Sequence, residues 1–204
     1  MSLIIFLNGC GSSGKTSIAH SLQHLSPNAL LHFSMDMLID MLPTQYIAGG
    51  EKVHEGYFSF VPSQNENGPL INIKEGALGE RVFGKAPTIA KTLADQGNDM
   101  IIDEVLFGDS VLRTYVDQLK EHTVYFIGIF CDLKQMQERE ILRRDRALGL
   151  ANGQINRVHD GIREYDIKID TTNVSPFQAA NYVLQSINKM SNPQGFKKMG
   201  FFFV

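Results

Sequence analysis

A three-layer α/β fold, with a parallel sheet between two layers of helices, is what this 204-residue chain predicts. Three observations predict it. Short continuous apolar runs recur at Leu3-Ile4-Ile5-Phe6-Leu7, Met100-Ile101-Ile102 and Val124 to Phe130, as expected for strands buried on both faces. Segments with apolar residues at helical spacing alternate with them. A glycine-rich loop, Gly9 to Thr16, joins the first run to the first helical segment.

In chain order, Ile18, Ala19, Leu22 and Leu25 keep helical spacing until Pro27, and residues 29–33 form a second strand. Met37, Leu38, Met41 and Leu42 give a short helix stopped by Pro43. Between 44 and 74 regular patterning fails, interrupted by Gly49-Gly50, Pro62, Gly68 and Pro69. An irregular stretch of that length in a compact domain points to an acceptor-binding insert, with Tyr57, Phe58, Phe60 and Val61 packed over a cleft. Leu78, Val82, Ala86, Ile89, Leu93 and Ala94 suggest one helix kinked at Pro87 and ended by Gly97. Val111, Leu112, Tyr115, Val116 and Leu119 give another amphipathic helix, residues 134–147 an arginine-rich one, and Ile167–Asp170 a last strand. The final helix opens at Ser175-Pro176-Phe177-Gln178, a capping-box spacing with proline in its first position. Its apolar face is Phe177, Ala180, Leu184 and Ile187. One domain over 1–204 is expected, with an insert at 44–74, a lid at 139–157 and an apolar tail at 192–204. That tail is free to dock on the domain, to join a second copy in a homo-oligomer, or to be an unstructured end.

Composition excludes several function classes. A net charge of −3 gives no sequence-wide basic surface for nucleic acid. Cys10 and Cys131 have neither metal-ligand spacing nor a disulfide framework, and His32, His122 and His159 show no metal spacing. No run approaches the roughly 20 apolar residues that span a bilayer. The opening residues read as a strand without a basic leader, so a soluble, cytoplasmic chain without nucleic-acid or membrane partners is expected.

Gly9 to Thr16 matches G-x-x-x-x-G-K-[ST] in full, between strand and helix. Glycines let backbone N–H groups turn inward at a helix N-terminus, where the macrodipole also favours an anion. Gly9, Gly11, Ser12, Ser13, Gly14, Lys15, Thr16 and Ser17 are the candidate nucleotide-binding residues. Lys15 would reach the β- and γ-phosphates of ATP, and the Thr16 hydroxyl would bind Mg²⁺. Cys10 is expected to point outward and to carry no chemistry.

A GTPase would also carry D-x-x-G and N-K-x-D. Asp103 instead runs into Glu104-Val105-Leu106, and Asn188-Lys189 into Met190-Ser191. A small-molecule kinase fits better. Phosphoryl transfer needs mainly positioning and charge stabilisation, which Arg139, Arg143 or Arg146 in the lid could supply. A solvated face paired with Glu138, Glu140 and Asp145 is the alternative for that segment. Asp36, just past the second strand, sits where doubly wound sheets bind ligand and is the candidate base for an acceptor hydroxyl. Asp40, one turn later, is either a substrate contact or a helix-terminus charge. Asp103, ending a strand, could hold Mg²⁺ or act as a partner to Lys15 or Thr16.

The chain resembles the chloramphenicol phosphotransferase family of P-loop kinases. The resemblance rests on Ile5 to Gly9 running into Ser12-Ser13-Gly14-Lys15, on Phe33 to Ile39, on Ile101 to Val105 and on Gly128 to Asp132. It continues through Arg139-Glu140, Arg143 and Asp145-Arg146. It closes on Val158-His159-Asp160-Gly161, Tyr165-Asp166 and Asp170-Thr171-Thr172, the most diagnostic run. It implies a nucleoside- or shikimate-kinase-like P-loop fold and transfer of the ATP γ-phosphate to a hydroxyl. Asp36 would be the base, Arg139, Arg143 and Arg146 would belong to the lid, and the loop after Asp170 would lie near adenine. Residues 43–76 depart from the family pattern, and the tail runs past its expected end. The acceptor expected is the 3-hydroxyl of chloramphenicol or another small hydroxylated molecule: a nucleotide sugar, a shikimate-like compound or a nucleoside. A non-catalytic ATP sensor is the rival from another class.

Overall fold

The computed structural model describes residues 1–143, 147–161 and 163–202. Five parallel strands form the sheet: β1 (Leu3–Gly9), β2 (Leu31–Ser34), β5 (Met100–Glu104), β6 (Thr123–Phe130) and β7 (Ile167–Asp170), in the order β2-β5-β1-β6-β7. Side-chain alternation along these strands splits the core in two. Ile4, Phe6, Met100, Ile102, Val124 and Phe126 face one helical layer, with α4 (Ala86–Asp95), α5 (Asp109–Leu119) and α9 (Gly195–Phe202). Ile5, Leu7, Ile101, Ile127, Ile129, Ile167 and Ile169 face the other, with α1 (Lys15–Leu25) and α8 (Pro176–Lys189). This is the three-layer P-loop architecture that the apolar runs and their spacing predict.

Register aligns the carboxyl ends of the central strands. Leu7 pairs with Asp103, Asn8 with Glu104, and Ser34 with Asp103 from the other side. The loops leaving β1, β2 and β5 therefore open on one crevice, the ligand edge of such sheets.

The predicted capping box forms, and a second cap starts the helix after β2. The Ser175 hydroxyl accepts from Gln178 N and the Gln178 amide oxygen accepts from Ser175 N, closing the capping box of α8. Ser34 caps α2 (Met35–Asp40) by accepting from Met37 N, so the helix carrying Asp36 starts directly at the end of β2. The helix expected to kink at Pro87 is instead two helices, α3 (Ala77–Phe83) and α4, parted at Gly84-Lys85. Pro87 lies in the first turn of α4, where its missing N–H costs nothing.

The insert is ordered. After two short 3₁₀ turns, at Thr44–Tyr46 and Val53–Glu55, the chain forms an antiparallel hairpin of β3 (Phe58–Asn65) and β4 (Gly68–Glu75). Pro62 sits opposite Ile71 within it. A two-stranded ribbon leaves one side of each strand unpaired, so proline loses a ladder bond only at alternate positions. The tail docks on the domain: Phe196 and Met199 are buried beside Phe6 and Phe126. Among the described residues no helix is long and apolar enough to cross a membrane.

Candidate active site

The phosphate loop is shaped by two left-handed backbone positions, Ser12 at φ 61° and Gly14 at φ 97°. Gly14 is the N-cap of α1 and no side chain caps that helix, so the first N–H groups of α1 are left for an anion. Lys15 is nearly buried; its Nζ donates to Cys10 O at 2.9 Å and lies 3.7 Å from Asp103 Oδ1. The Thr16 hydroxyl donates to Asp103 Oδ2 at 2.7 Å. Burial alone would raise the Asp103 carboxyl. The Lys15 ammonium, with His32 and the Thr16 hydroxyl, outweighs it and holds Asp103 below the usual carboxylate range. Both alternatives offered for Asp103 as a partner, Lys15 and Thr16, are therefore realised together.

The crevice over this loop is lined by Gly11, Ser12, Gly14, Lys15, Thr16 and Ser17, together with Asp36, Asp103 and Arg143. Gly9 and Ser13 are buried beneath it, and among the described residues the Ser13 hydroxyl has no hydrogen-bond partner. Asp36 is half-buried at the start of α2 and Asp40 is exposed at its end. Arg143 is exposed at the end of α6 (Leu133–Arg143). Arg146 and Asp145 lie outside the described residues.

Arg139 differs from its expected place in a lid. Its Nη2 donates to Thr171 O at 2.8 Å, and its Nη1 approaches Ser12 O at 3.3 Å and Cys131 Sγ at 3.4 Å. A guanidinium spread over these acceptors braces the back of the phosphate loop. Thr171 joins it, its hydroxyl donating to Ser13 O at 2.6 Å. Glu140 is no solvated partner of the arginines either. It is 2% exposed and accepts from Gly149 N at 3.0 Å and Ala151 N at 2.6 Å, holding the start of α7 (Leu150–Gln154). Cys10 points inward against Met136, Ala151 and Val158. Burial pushes its thiol up to about 11, so it stays protonated and inert.

Behind the loop, Asn8 is wholly buried and ties three segments together. Its Nδ2 donates to Val158 O at 3.0 Å and to the Tyr165 hydroxyl at 2.6 Å, while its Oδ1 accepts from Leu106 N at 3.0 Å. His159 stacks on Phe130 with ring centroids 4.0 Å apart. Its Nε2 lies 3.2 Å from Ile129 O and its Nδ1 2.8 Å from the Tyr165 hydroxyl. These partners assign a neutral ring that donates from Nε2 and accepts from Tyr165 at Nδ1. Burial lowers its pKa to about 4 and keeps it neutral.

A model of the family described as "Chloramphenicol phosphotransferase-like protein" matches residues 2–188. The chain belongs to the chloramphenicol phosphotransferase-like family. The match ends within α8, and α9 lies beyond the matched residues. The chain is 23% identical over 197 residues to a Mycobacterium tuberculosis protein named "Putative O-phosphotransferase", covering 96% of this chain and 87% of that one.

Solved structures similar in fold include the M. tuberculosis APS kinase CysC in complex with AMPPNP and APS, at TM-score 0.61 and 12% identity over 92% of this chain and 98% of that one. The shikimate kinase of Acinetobacter baumannii gives 0.56 and 14% over 93% and 94%. The tunicamycin resistance protein of Deinococcus radiodurans gives 0.56 and 18% over 94% and 97%. The fold is thus that of P-loop kinases, and the family is one of phosphotransferases.

Two residues of this family member were not singled out for function by patterning. His32 lies beside Asp103, its Nε2 3.6 Å from Asp103 Oδ2, too far for a hydrogen bond. Gln154 accepts from Gly11 N at 2.6 Å. Neither residue belongs to a local motif; β2 and α7 bring them in from afar, which no spacing encodes. Hard oxygen donors at Thr16 and Asp103 suit Mg²⁺. Among the described residues no group of three or more His, Cys, Asp or Glu could hold a metal alone. A metal here would need phosphate oxygens to complete its shell, the usual arrangement for Mg²⁺ with a nucleotide.

Proposed function

We propose that this protein is an ATP- and Mg²⁺-dependent kinase that transfers the γ-phosphate to a hydroxyl of a small-molecule acceptor. The observation that carries the reading is a single crevice that faces the phosphate loop with Asp36, Asp103 and Arg143. A loop that only sensed ATP would need no carboxylate beyond the metal-side Asp103.

In this reading Gly9, Gly11, Ser12, Ser13, Gly14, Lys15, Thr16 and Ser17 form the nucleotide site. Backbone N–H groups at the start of α1 hold the phosphates. Lys15 exchanges the Cys10 carbonyl for phosphate oxygens, which releases the loop carbonyl to water or ligand. Thr16 and Asp103 would hold Mg²⁺, which when bound supplies positive charge against the phosphate oxygens. Asp36 orients the acceptor hydroxyl and takes its proton as the oxygen bonds to the γ-phosphorus. The bond from that phosphorus to the β–γ bridging oxygen breaks, and ADP departs with the electron pair. Arg143, with Arg146 by family resemblance, stabilises charge on the moving phosphoryl group. Arg139 acts on the loop as a brace.

The resemblance favours chloramphenicol or another hydroxylated antibiotic as acceptor. Nucleotide sugars, shikimate-like compounds and nucleosides present the same chemistry. A supply of ATP and Mg²⁺ puts the work in the cytoplasm. An ADP-release screen over chloramphenicol, aminoglycosides, macrolides, nucleosides and nucleotide sugars tests the reading. Stimulation by one compound class, with phosphate recovered on that compound, is the expected result. Tight ATP binding without stimulation by any of them would favour a sensor, and a hit among nucleotide sugars alone would exclude an antibiotic acceptor.

A further inference from the structure

The hairpin and the phosphate loop are joined through five residues. α7 spans only Leu150–Gln154, too short to be stable alone, so its contacts decide whether it forms. On one side Asn152, 2% exposed, serves the hairpin. Its Nδ2 lies 3.2 Å from Gly68 O, 3.1 Å from Pro69 O and 3.1 Å from Asn65 Oδ1, while its Oδ1 accepts from Asn65 Nδ2 at 3.1 Å. Two amide hydrogens are shared among three acceptors, so the turn of the hairpin is gripped rather than touched once. Ile71 N donates to Gly149 O at 3.1 Å. At Gly153 helix and strand meet backbone to backbone: a Cβ there would lie 2.2 Å from Ile71 O. On the other side Gln154, also buried, accepts from Gly11 N, and Gly11 lines the nucleotide crevice.

We propose that α7 couples nucleotide binding at the phosphate loop to ordering of the acceptor hairpin, with Gln154 and Asn152 as its two positioning residues; the proposal rests on the kinase reading above. The sign follows from the weaker partner. A two-stranded hairpin is marginal alone, so its order depends on α7. Phosphate bound in the loop fixes Gly11, Gly11 fixes the Gln154 amide, and the helix that Gln154 closes is the one that Asn152 uses to grip the hairpin. Nucleotide therefore assembles the acceptor side. By linkage an ordered hairpin raises nucleotide affinity by the same factor.

Hydrogen exchange on the full-length protein, with and without ADP and Mg²⁺, tests this without knowledge of the acceptor. In the wild type, ADP should slow exchange at Ile71 and the other amides of β3 and β4 about tenfold, the ordinary size of a coupling between sites. Gln154→Met keeps the side chain's length but removes the acceptor for Gly11 N. It should bind ADP yet lose the slowing, and Gln154→Glu, which restores an acceptor, should regain it at saturating ADP. Asn65→Ala, at the end of β3, should also lose it and weaken ADP binding by the same factor without touching the loop. Retention of the full slowing in Gln154→Met, or ADP binding in the wild type with unchanged hairpin exchange, would overturn the coupling alone. Absence of ADP binding in the wild type would overturn the kinase reading and the coupling with it.

Discussion

The phosphate loop and the hairpin tied to it through α7 are built by different means. The phosphate end is local: Gly9 to Thr16 are consecutive, the turn is fixed by Ser12 and Gly14, and the strand and helix that carry it sit in the middle of the sheet. The hairpin is assembled: it belongs to a separate two-stranded sheet, and Asn152, over eighty residues away in sequence, grips its turn. In the proposed reading the triphosphate meets one consecutive motif, while the acceptor meets a hairpin whose order depends on residues far away in the chain.

Several perturbations would break or sharpen that contrast. The largest should come at the local end. Lys15→Met removes the ammonium that lines the crevice and should lower phosphoryl transfer about 10²–10³-fold, checked by single-turnover kinetics, with hairpin exchange unaltered in the absence of nucleotide. Next comes the assembled end. Gly153→Ala drives a methyl group into Ile71 O and should cost about 1–3 kcal/mol in urea unfolding. Exchange should rise in β3 and β4 while β1 keeps its protection. If β1 loosened equally, the two ends would be one cooperative unit and the contrast would fail.

The smallest effect concerns the support behind the loop. His159 has a folded pKa of about 4 against an ordinary value of 6.5, so the unfolded chain binds the extra proton between them. Its contribution to stability is present above pH 6.5 and is lost as pH falls through 4. The stability advantage of wild type over His159→Gln, followed by denaturant titration, should therefore shrink as pH drops across that window. An advantage constant with pH would mean that the neutral ring is not what the Tyr165 and Ile129 contacts select.

The same contrast explains what could be read from the sequence. The order of strands and helices followed from apolar periodicity, and the capping box at Ser175 located α8 to the residue. The phosphate loop was legible because its chemistry is backbone chemistry, written in glycines and one Lys-Thr pair. Pro62 and Pro69 masked the hairpin, since proline normally argues against a strand. The signal that could have found it was Asn67-Gly68 between alternating residues, with Gly68 at φ 101° and Asn67 N donating to the Asn65 side chain. The inward contacts of Glu140 and Arg139 were hidden for a different reason. Charge at helical spacing describes a face, but tertiary packing decides which members of that face turn inward to carbonyls and amide groups. Gln154 and His32 left no local trace.

If phosphate leaves the loop for a hydroxyl beside Asp36, as proposed, Asp36→Asn separates transfer from nucleotide binding. Phosphate transfer to the acceptor returned by the ADP-release screen, and ADP affinity, should be measured on both proteins. Transfer should fall about 10²–10⁴-fold with ADP affinity unchanged, because the carboxylate serves the acceptor and not the nucleotide. Undiminished transfer by Asp36→Asn would contradict it.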